Sequence, residues 1–243
     1  MPIEALIPLI IFSGSLIYAT FGFGDALFAM PVLSLLIGIK TATPLMTLNG
    51  MTLAALMFAR HYKEVHWRSA RSLIISSFFG IPIGIYFLKN GNEHLTKLLL
   101  GSVITGVSVY NLFLRKEKAS LSHKWSYVFG FFGGILGGAF NTGGPPIVIF
   151  GSLAGWSQSQ FVGTLQGYFL PNDLFILLCQ ILAGLQTKTV LYYYLIGLPF
   201  LFLGLFFGNK LHRKIPEGKF NQYIFMLLLL IGIVFILRTL LSA

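Results

Sequence analysis

The sequence predicts an all-α polytopic membrane protein built from two internal repeats, and three observations carry that prediction. Hydrophobic residues make up 56% of the 243-residue chain, charged residues only 10%, and the mean hydropathy is +0.81, whereas a soluble domain carries about 25% charged residues. The windows 70–88, 95–114, 160–183, 189–208 and 220–241 are apolar runs that approach or reach the ~20 residues a helix needs to cross ~30 Å of hydrocarbon. They are continuous rather than alternating, which excludes a β-barrel. Finally, Thr47-Leu48-Asn49-Gly50 returns 117 residues later as Thr164-Leu165-Gln166-Gly167, and Gly80-Ile81-Pro82 returns at the same offset as Gly197-Leu198-Pro199. Matches in one order at one offset argue for duplication.

Taken in order, each repeat reads as an interrupted segment followed by three spans. In the first, residues 1–114, these are 3–39 (broken near 21–25), 42–59, 70–88 and 95–114. In the second, residues 125–243, they are 126–154 (broken near 141–146), 160–183, 189–208 and 220–241. Residues 115–124, with Arg115, Lys116, Lys118 and Lys124, form a basic cytoplasmic linker. Two topologies are open. Each interrupted segment is either one kinked span, giving eight crossings and parallel repeats, or a re-entrant pair of half-helices, giving inverted repeats. Loop charge favours inversion. Loop 60–71 carries Arg60, Lys63, Arg68 and Arg71 while its counterpart near 184–190 has only Lys188. Loop 89–97 carries Lys89 and Lys97 while its counterpart at 209–219 has Lys210, Arg213, Lys214 and Lys219. The basic position thus shifts from one loop to the next between the halves, as the positive-inside rule requires of an inversion.

Composition also bounds the partners. The net charge of +10 is spread over short loops between spans, which is how topology-setting charge is placed, so no nucleic-acid partner is expected. The first residues, Met1-Pro2-Ile3-Glu4, lack a basic region and a cleavage site and are expected to be retained. Cys179 stands alone in an apolar run and is expected to be inert packing. His61, His66, His94, His123 and His212 fall in polar loops without metal-ligand spacing. No Ser/His/Asp arrangement, metal cluster or nucleotide loop is present, so neither an enzyme nor a cofactor is predicted. The partners expected are a lipid bilayer and a small anionic substrate, and apolar outer faces would permit a homodimer.

The chemistry lies in the two interruptions. Phe21-Gly22-Phe23-Gly24-Asp25 and Asn141-Thr142-Gly143-Gly144-Pro145-Pro146 pair at an offset of 119. Interrupted apolar segments at matching positions of two repeats mark the binding site of a transporter. At each break a half-helix restarts with free amides and the positive end of its dipole, and two such ends together suit an oxyanion. Gly22, Gly24, Gly143 and Gly144 permit unusual backbone angles and close approach of a ligand, and Pro145 and Pro146 suit a first helical turn. Tight helix packing by small residues is the alternative use of these glycines. Asn49 and Gln166 are matched amides that either reach a ligand or bond helices together. Thr47, Thr164 and Tyr168 offer hydroxyls with the same two uses.

Only Asp25 and Asp173 are acidic residues within apolar runs, where an ionisable side chain costs several kcal/mol and marks a functional path. Asp25 is read as a proton carrier whose protonation follows anion occupancy, or as an N-cap of its half-helix. Asp173, in Pro171-Asn172-Asp173, is a second proton-coupling candidate or lines a vestibule. The predicted substrate site is therefore Gly22, Phe23, Gly24, Asp25, Asn49, Asn141, Thr142, Gly143, Gly144, Pro145, Gln166 and Tyr168.

The doubled glycine motif, Gly22-Phe23-Gly24-Asp25-Ala26 leading to Pro31 and Asn141 through Pro146, resembles the TauE/SafE family, the 4-toluene sulfonate uptake permeases. Residues Ala139-Phe140-Asn141 through Pro146, with Thr164 through Pro171 downstream, look like one branch of it. The likeness spans essentially the whole chain. It implies a multi-pass transporter of the bacterial inner membrane, read here as an exporter, that moves sulfite, sulfonates or sulfoacetate. A proton- or cation-coupled carrier of another small organic anion, or an anion channel, remains open. Asp25 stands where the family usually has glycine, and Asn141 where the second motif often begins with glycine. A fixed carboxylate fits proton-coupled movement of a monoanion better than uniport of a dianion.

Overall fold

The computed structural model describes residues 3–114 and 122–212, together with 226, 229–230, 232–237 and 239–241. The described residues are overwhelmingly helical and contain no strand. In order they form α1 (Ile3–Phe21), α2 (Asp25–Ile37), α3 (Ile39–His61), α4 (Trp67–Asn90) and α5 (Glu93–Val109). Then follow α6 (Trp125–Phe140), α7 (Gly144–Leu153), α8 (Gln158–Leu182) and α9 (Lys188–His212). A π-turn at Tyr110–Leu114 ends α5, and residues 232–237 are helical again. Most of the linker, and Arg213, Lys214 and Lys219, lie outside the described residues.

Local chemistry sets the boundaries. Asn92 caps α5 by accepting the amides of His94 and Leu95. Ser157 and Gln160 form a reciprocal capping box at the start of α8, which satisfies two amides that a helix start otherwise leaves free. Gly22, at φ +82°, terminates α1 with its amide on the Tyr18 carbonyl at 2.7 Å. Asn141, at φ +53°, ends α6 in the same way on the Gly137 carbonyl at 2.8 Å.

Residues 39–64, 67–90, 159–182 and 188–211 are long and apolar enough to cross a membrane. Phe79, Ile83 and Tyr86 on α4, and Leu195, Phe202 and Phe206 on α9, are exposed, which is the surface expected of helices that face lipid.

Packing pairs helices that are distant in sequence. The closest associations are α4 on α6 and α1 on α9, and both run parallel. On the first, Gly130 faces Leu73, Gly134 faces Ser77 and Gly138 faces Ile81, with a Cβ on each glycine landing on backbone. On the second, Gly197 faces Ile11, Gly204 sits 2.5 Å from the Phe12 carbonyl oxygen and Gly208 2.6 Å from that of Leu16, each measured from an added Cβ. Lipid tails are as apolar as leucine, so such helices associate by van der Waals fit, and small residues give it.

At the centre, α3 runs antiparallel to α8. Thr47 bonds Gln180, Gly50 lies against Asp173, Phe58 lies against Gly167 and His61 lies against Gly163. The start of α8 therefore sits beside loop 62–66, where the His66 amide donates to Thr164 Oγ1 at 2.9 Å. Residues 232–237 and 239 run antiparallel to α5, with Ile236 on Gly101, Gly232 on Thr105 and the Thr239 carbonyl on His94 Nε2.

Gly134→Leu is expected to lower the thermal unfolding midpoint in detergent sharply, since overpacking a close interface costs about 1–3 kcal/mol or more. Gly106→Ala has open space around the new Cβ and should leave the midpoint unchanged or raise it, because alanine favours helix.

Candidate functional site

Both chain breaks reverse direction. Asp25 lies back against Gly14, with the built Cβ of Gly14 3.4 Å from the Asp25 carbonyl oxygen, and Gly24 meets Ile17 at 3.3 Å. On the other side Gly143 returns to Gly133 and Gly137, and Ile147 reaches Gly133 at 3.0 Å. The two turns meet, since a Cβ on Gly144 would stand 3.9 Å from that of Phe23.

The glycines divide their work differently from the sequence expectation. Gly22 and Gly24 (φ +103°) take left-handed backbone, but in the second break Asn141 does so. Gly143 and Gly144 instead serve close approach, since an added Cβ would stand 2.6 Å from the Gly133 carbonyl oxygen at Gly143 and 3.3 Å from the Phe169 ring at Gly144. Asparagine is among the few side chains that tolerate this region. Pro145 and Pro146 occupy the first turn of α7.

Between the turns lies a cavity of about 40 Å3, room for roughly three waters. Phe23, Gly24, Asp25, Asn141, Thr142, Gly143, Gly144, Pro145, Tyr168 and Asp173 all line it. Of the remaining predicted residues, Gly22 and Gln166 stand behind the wall, bonded to each other. Asn49 is buried and absent from the lining, although its neighbour Gly50 contributes. No lysine or arginine is among the lining residues.

Asp25 is 6% exposed and is the first residue of α2; the N-cap is Gly24, not Asp25. The Ala26 amide bonds its carboxylate, while Oδ2 has no partner among the described residues. Asp173, 7% exposed, accepts from Asn141 Nδ2 at 3.4 Å. The same amide donates to Thr47 Oγ1 at 3.2 Å, and Thr47 also takes Gln180 Nε2 at 2.9 Å. Gln186 Nε2 continues the chain to Gln180 Oε1 at 2.9 Å. Thr142 Oγ1, buried and on the cavity wall, has no partner among the described residues. The arrangement brings two helix starts, a hydroxyl and two carboxylates to one space.

Several contributors escaped the sequence reading. Tyr18 lines the cavity and donates to Gln166 Oε1 at 2.6 Å. Asn172 is a wall residue whose Oδ1 accepts from Ser77 and whose Nδ2 donates to the Tyr168 carbonyl at 2.7 Å. Thr164 braces loop 62–66 rather than the cavity. Gln180 was findable as an uncharged amide within an apolar run, but a tyrosine such as Tyr18 among many aromatic residues gives no such signal.

Comparison with known proteins agrees with the apolar helices. The family model described as "Sulfite exporter TauE/SafE" matches residues 6–235. The chain is 27% identical over 239 residues to the "Probable membrane transporter protein YdhB" of Bacillus subtilis (strain 168), covering 91% of this chain and 95% of that protein. No solved structure matches this chain. With the match running over nearly its whole length, the chain belongs to the TauE/SafE family of membrane transporters.

Proposed function

We propose that this chain is a secondary transporter that exports small sulfur-containing anions, sulfite and short sulfonates among them, across the bacterial inner membrane through two inverted repeats. The observation that carries the reading is the meeting of two matched chain breaks at one buried cavity. Non-helical backbone at membrane depth is stable only where protein or a wet cavity surrounds it, and here both breaks border the same one.

The repeats are residues 1–114 and 125–243, joined by 115–124. Exchanging them maps α1 on α9 onto α6 on α4, so the two closest packings become each other. The axis pairs, α3 with α8 and α5 with 232–237 and 239, run antiparallel, which supports inversion over eight crossings. The position of the α8 start beside loop 62–66 supports it too, because an eight-crossing chain would begin α8 at the opposite membrane face.

The anion is held weakly by the first turns of α2 and α7 and by the Thr142 hydroxyl, with no cation to trap it. Transient capture suits a carrier. A cavity of about 40 Å3 accepts a small oxyanion in this conformation and excludes an aromatic sulfonate. Asp25 and Asp173 border the same space, and an anion ~4 Å from a carboxylate is repelled by about 4 kcal/mol at an effective dielectric near 20. A proton on Asp25 removes that repulsion, which ties anion occupancy to proton occupancy. Asp173, held by Asn141, is the second coupling group.

The test is radiolabelled flux of sulfite, a short sulfonate and sulfoacetate in proteoliposomes, with and without a pH gradient. Saturable flux that responds to the pH gradient is expected. Asp25→Asn should reduce the gradient response about tenfold, equivalent to about 1.4 kcal/mol, and Asp173→Asn should do so less, because Asn141 can still donate to the amide oxygen. Flux indifferent to the gradient and to Asp25→Asn would overturn the coupling, and no flux of any of the three would overturn the substrate class. Topology is checked with an impermeant thiol reagent on Cys179→Ser protein carrying Lys63→Cys or Lys188→Cys. Inverted repeats place the two on opposite membrane faces, and parallel repeats place both on one face.

A further inference from the structure

The exchange of repeats pairs not only helices but single hydrogen-bonding groups, and one pair is unequal. Gly22 and Asn141 are equivalent caps, each left-handed and each bonded to the carbonyl four residues back. Gln166 and Asn49 are equivalent amides on the axis helices α8 and α3. Gln166 Nε2 donates to the Gly22 carbonyl at 2.9 Å, and its Oε1 accepts from Tyr18 at 2.6 Å. It thereby ties the first break to the central helix of the other half. Asn49 is just as deeply buried, at 1% exposed, yet neither its Nδ2 nor its Oδ1 has a partner among the described residues. A buried amide left without partners costs about 1–3 kcal/mol per unsatisfied group, so the protein keeps it at a cost that this conformation does not recover.

Inverted repeats reconcile the difference. Two halves in inverted orientation interconvert inward- and outward-facing states by exchanging conformations, and what one half does in one state its counterpart does in the other. We propose that Gln166 and Asn49 are alternating latches: Gln166 holds the first break in this state, and Asn49 holds the second break, through the Asn141 carbonyl, in the opposite-facing state. Asn49 is then a positioning residue of the transport cycle and not a ligand of the anion, in keeping with its absence from the cavity wall. The bodies that move are α1 with α2 and α9 against α6 with α7 and α4, the sets that pack most closely. Asparagine is one methylene shorter than glutamine, so Asn49 reaches its carbonyl only when the second break closes on α3. The inference rests on the inverted-repeat reading but on no particular substrate.

The test is a distance measurement between spin labels in Cys179→Ser protein in lipid nanodiscs without substrate. One pair sits at Arg68→Cys and Lys210→Cys, the other at Lys89→Cys and Lys188→Cys, all on exposed positions of α4 and α9. The two pairs report the opposite ends of the moving bodies. Gln166→Ala is expected to raise the population of the second state, lengthening one pair's distance and shortening the other's. Asn49→Ala should shift both the other way, each by about fivefold in population, the effect of one net hydrogen bond. Asn49→Gln, which extends the reach of the amide, should mimic Gln166→Ala and guards against a variant that merely fails to fold. Shifts of the same sign for Gln166→Ala and Asn49→Ala, or no shift for either, would overturn the latch. Because no anion is present, a failure of the sulfur-anion reading leaves this outcome untouched.

Discussion

A buried peptide group must find its hydrogen-bond partner within the protein, and two stretches of this chain, at 22–24 and 141–143, leave helix. Every feature near the cavity answers that constraint. The Gly22 and Asn141 amides turn back to their own helices, and Gln166 reaches from the opposite half to take the Gly22 carbonyl. Gly24, Asp25 and Ala26 at the start of α2, and Gly143 and Gly144 at the start of α7, line the cavity. Among the described residues Asp25 Oδ2 and Thr142 Oγ1, both on side chains of that wall, remain unbonded, as does the Asn49 amide away from it.

Burying the breaks requires helices to come closer than ordinary side chains allow. The glycine faces of α6 and α9 meet that need, since most of their glycines lie on a neighbour's backbone. The two uses of glycine weighed in the sequence, packing and ligand approach, overlap in α6. Those in α6 and α9 bring helices together, Gly133, Gly134 and Gly137 also lining the cavity, while Gly24, Gly143 and Gly144 shape the turns and form another part of its wall.

The sequence conveyed the apolar helices, the two interruptions and ten of the 21 wall residues, because each is written in composition or in a local pattern. Four of the predicted spans, 42–59, 70–88, 160–183 and 189–208, reappear as the long helices α3, α4, α8 and α9. What stayed hidden was relational. Nothing local distinguishes Tyr18 from the chain's other tyrosines until α8 brings Gln166 to it, and Asn172 acquires its role only when α4 delivers Ser77. The left-handed position of the second break falls on Asn141 and not on one of its glycines, which permit it most freely, and the Asn141 side chain then joins Thr47 and Asp173. Asn49 and Gln166 looked alike as matched letters, and only their surroundings separate them.

The partnership of α1 with α9 also has a consequence for biosynthesis. A ribosome making ~5–20 residues per second needs on the order of 10–30 s after α1 emerges before α9 follows it. Throughout that interval α1, with Gly14 and Ser15 on its length, lacks the surface it is shaped to meet, whereas α4 waits only for α5 and the linker before α6 arrives. The first hairpin therefore waits on the insertion machinery for longer than α4 does, and α9, made late, is the helix that completes it.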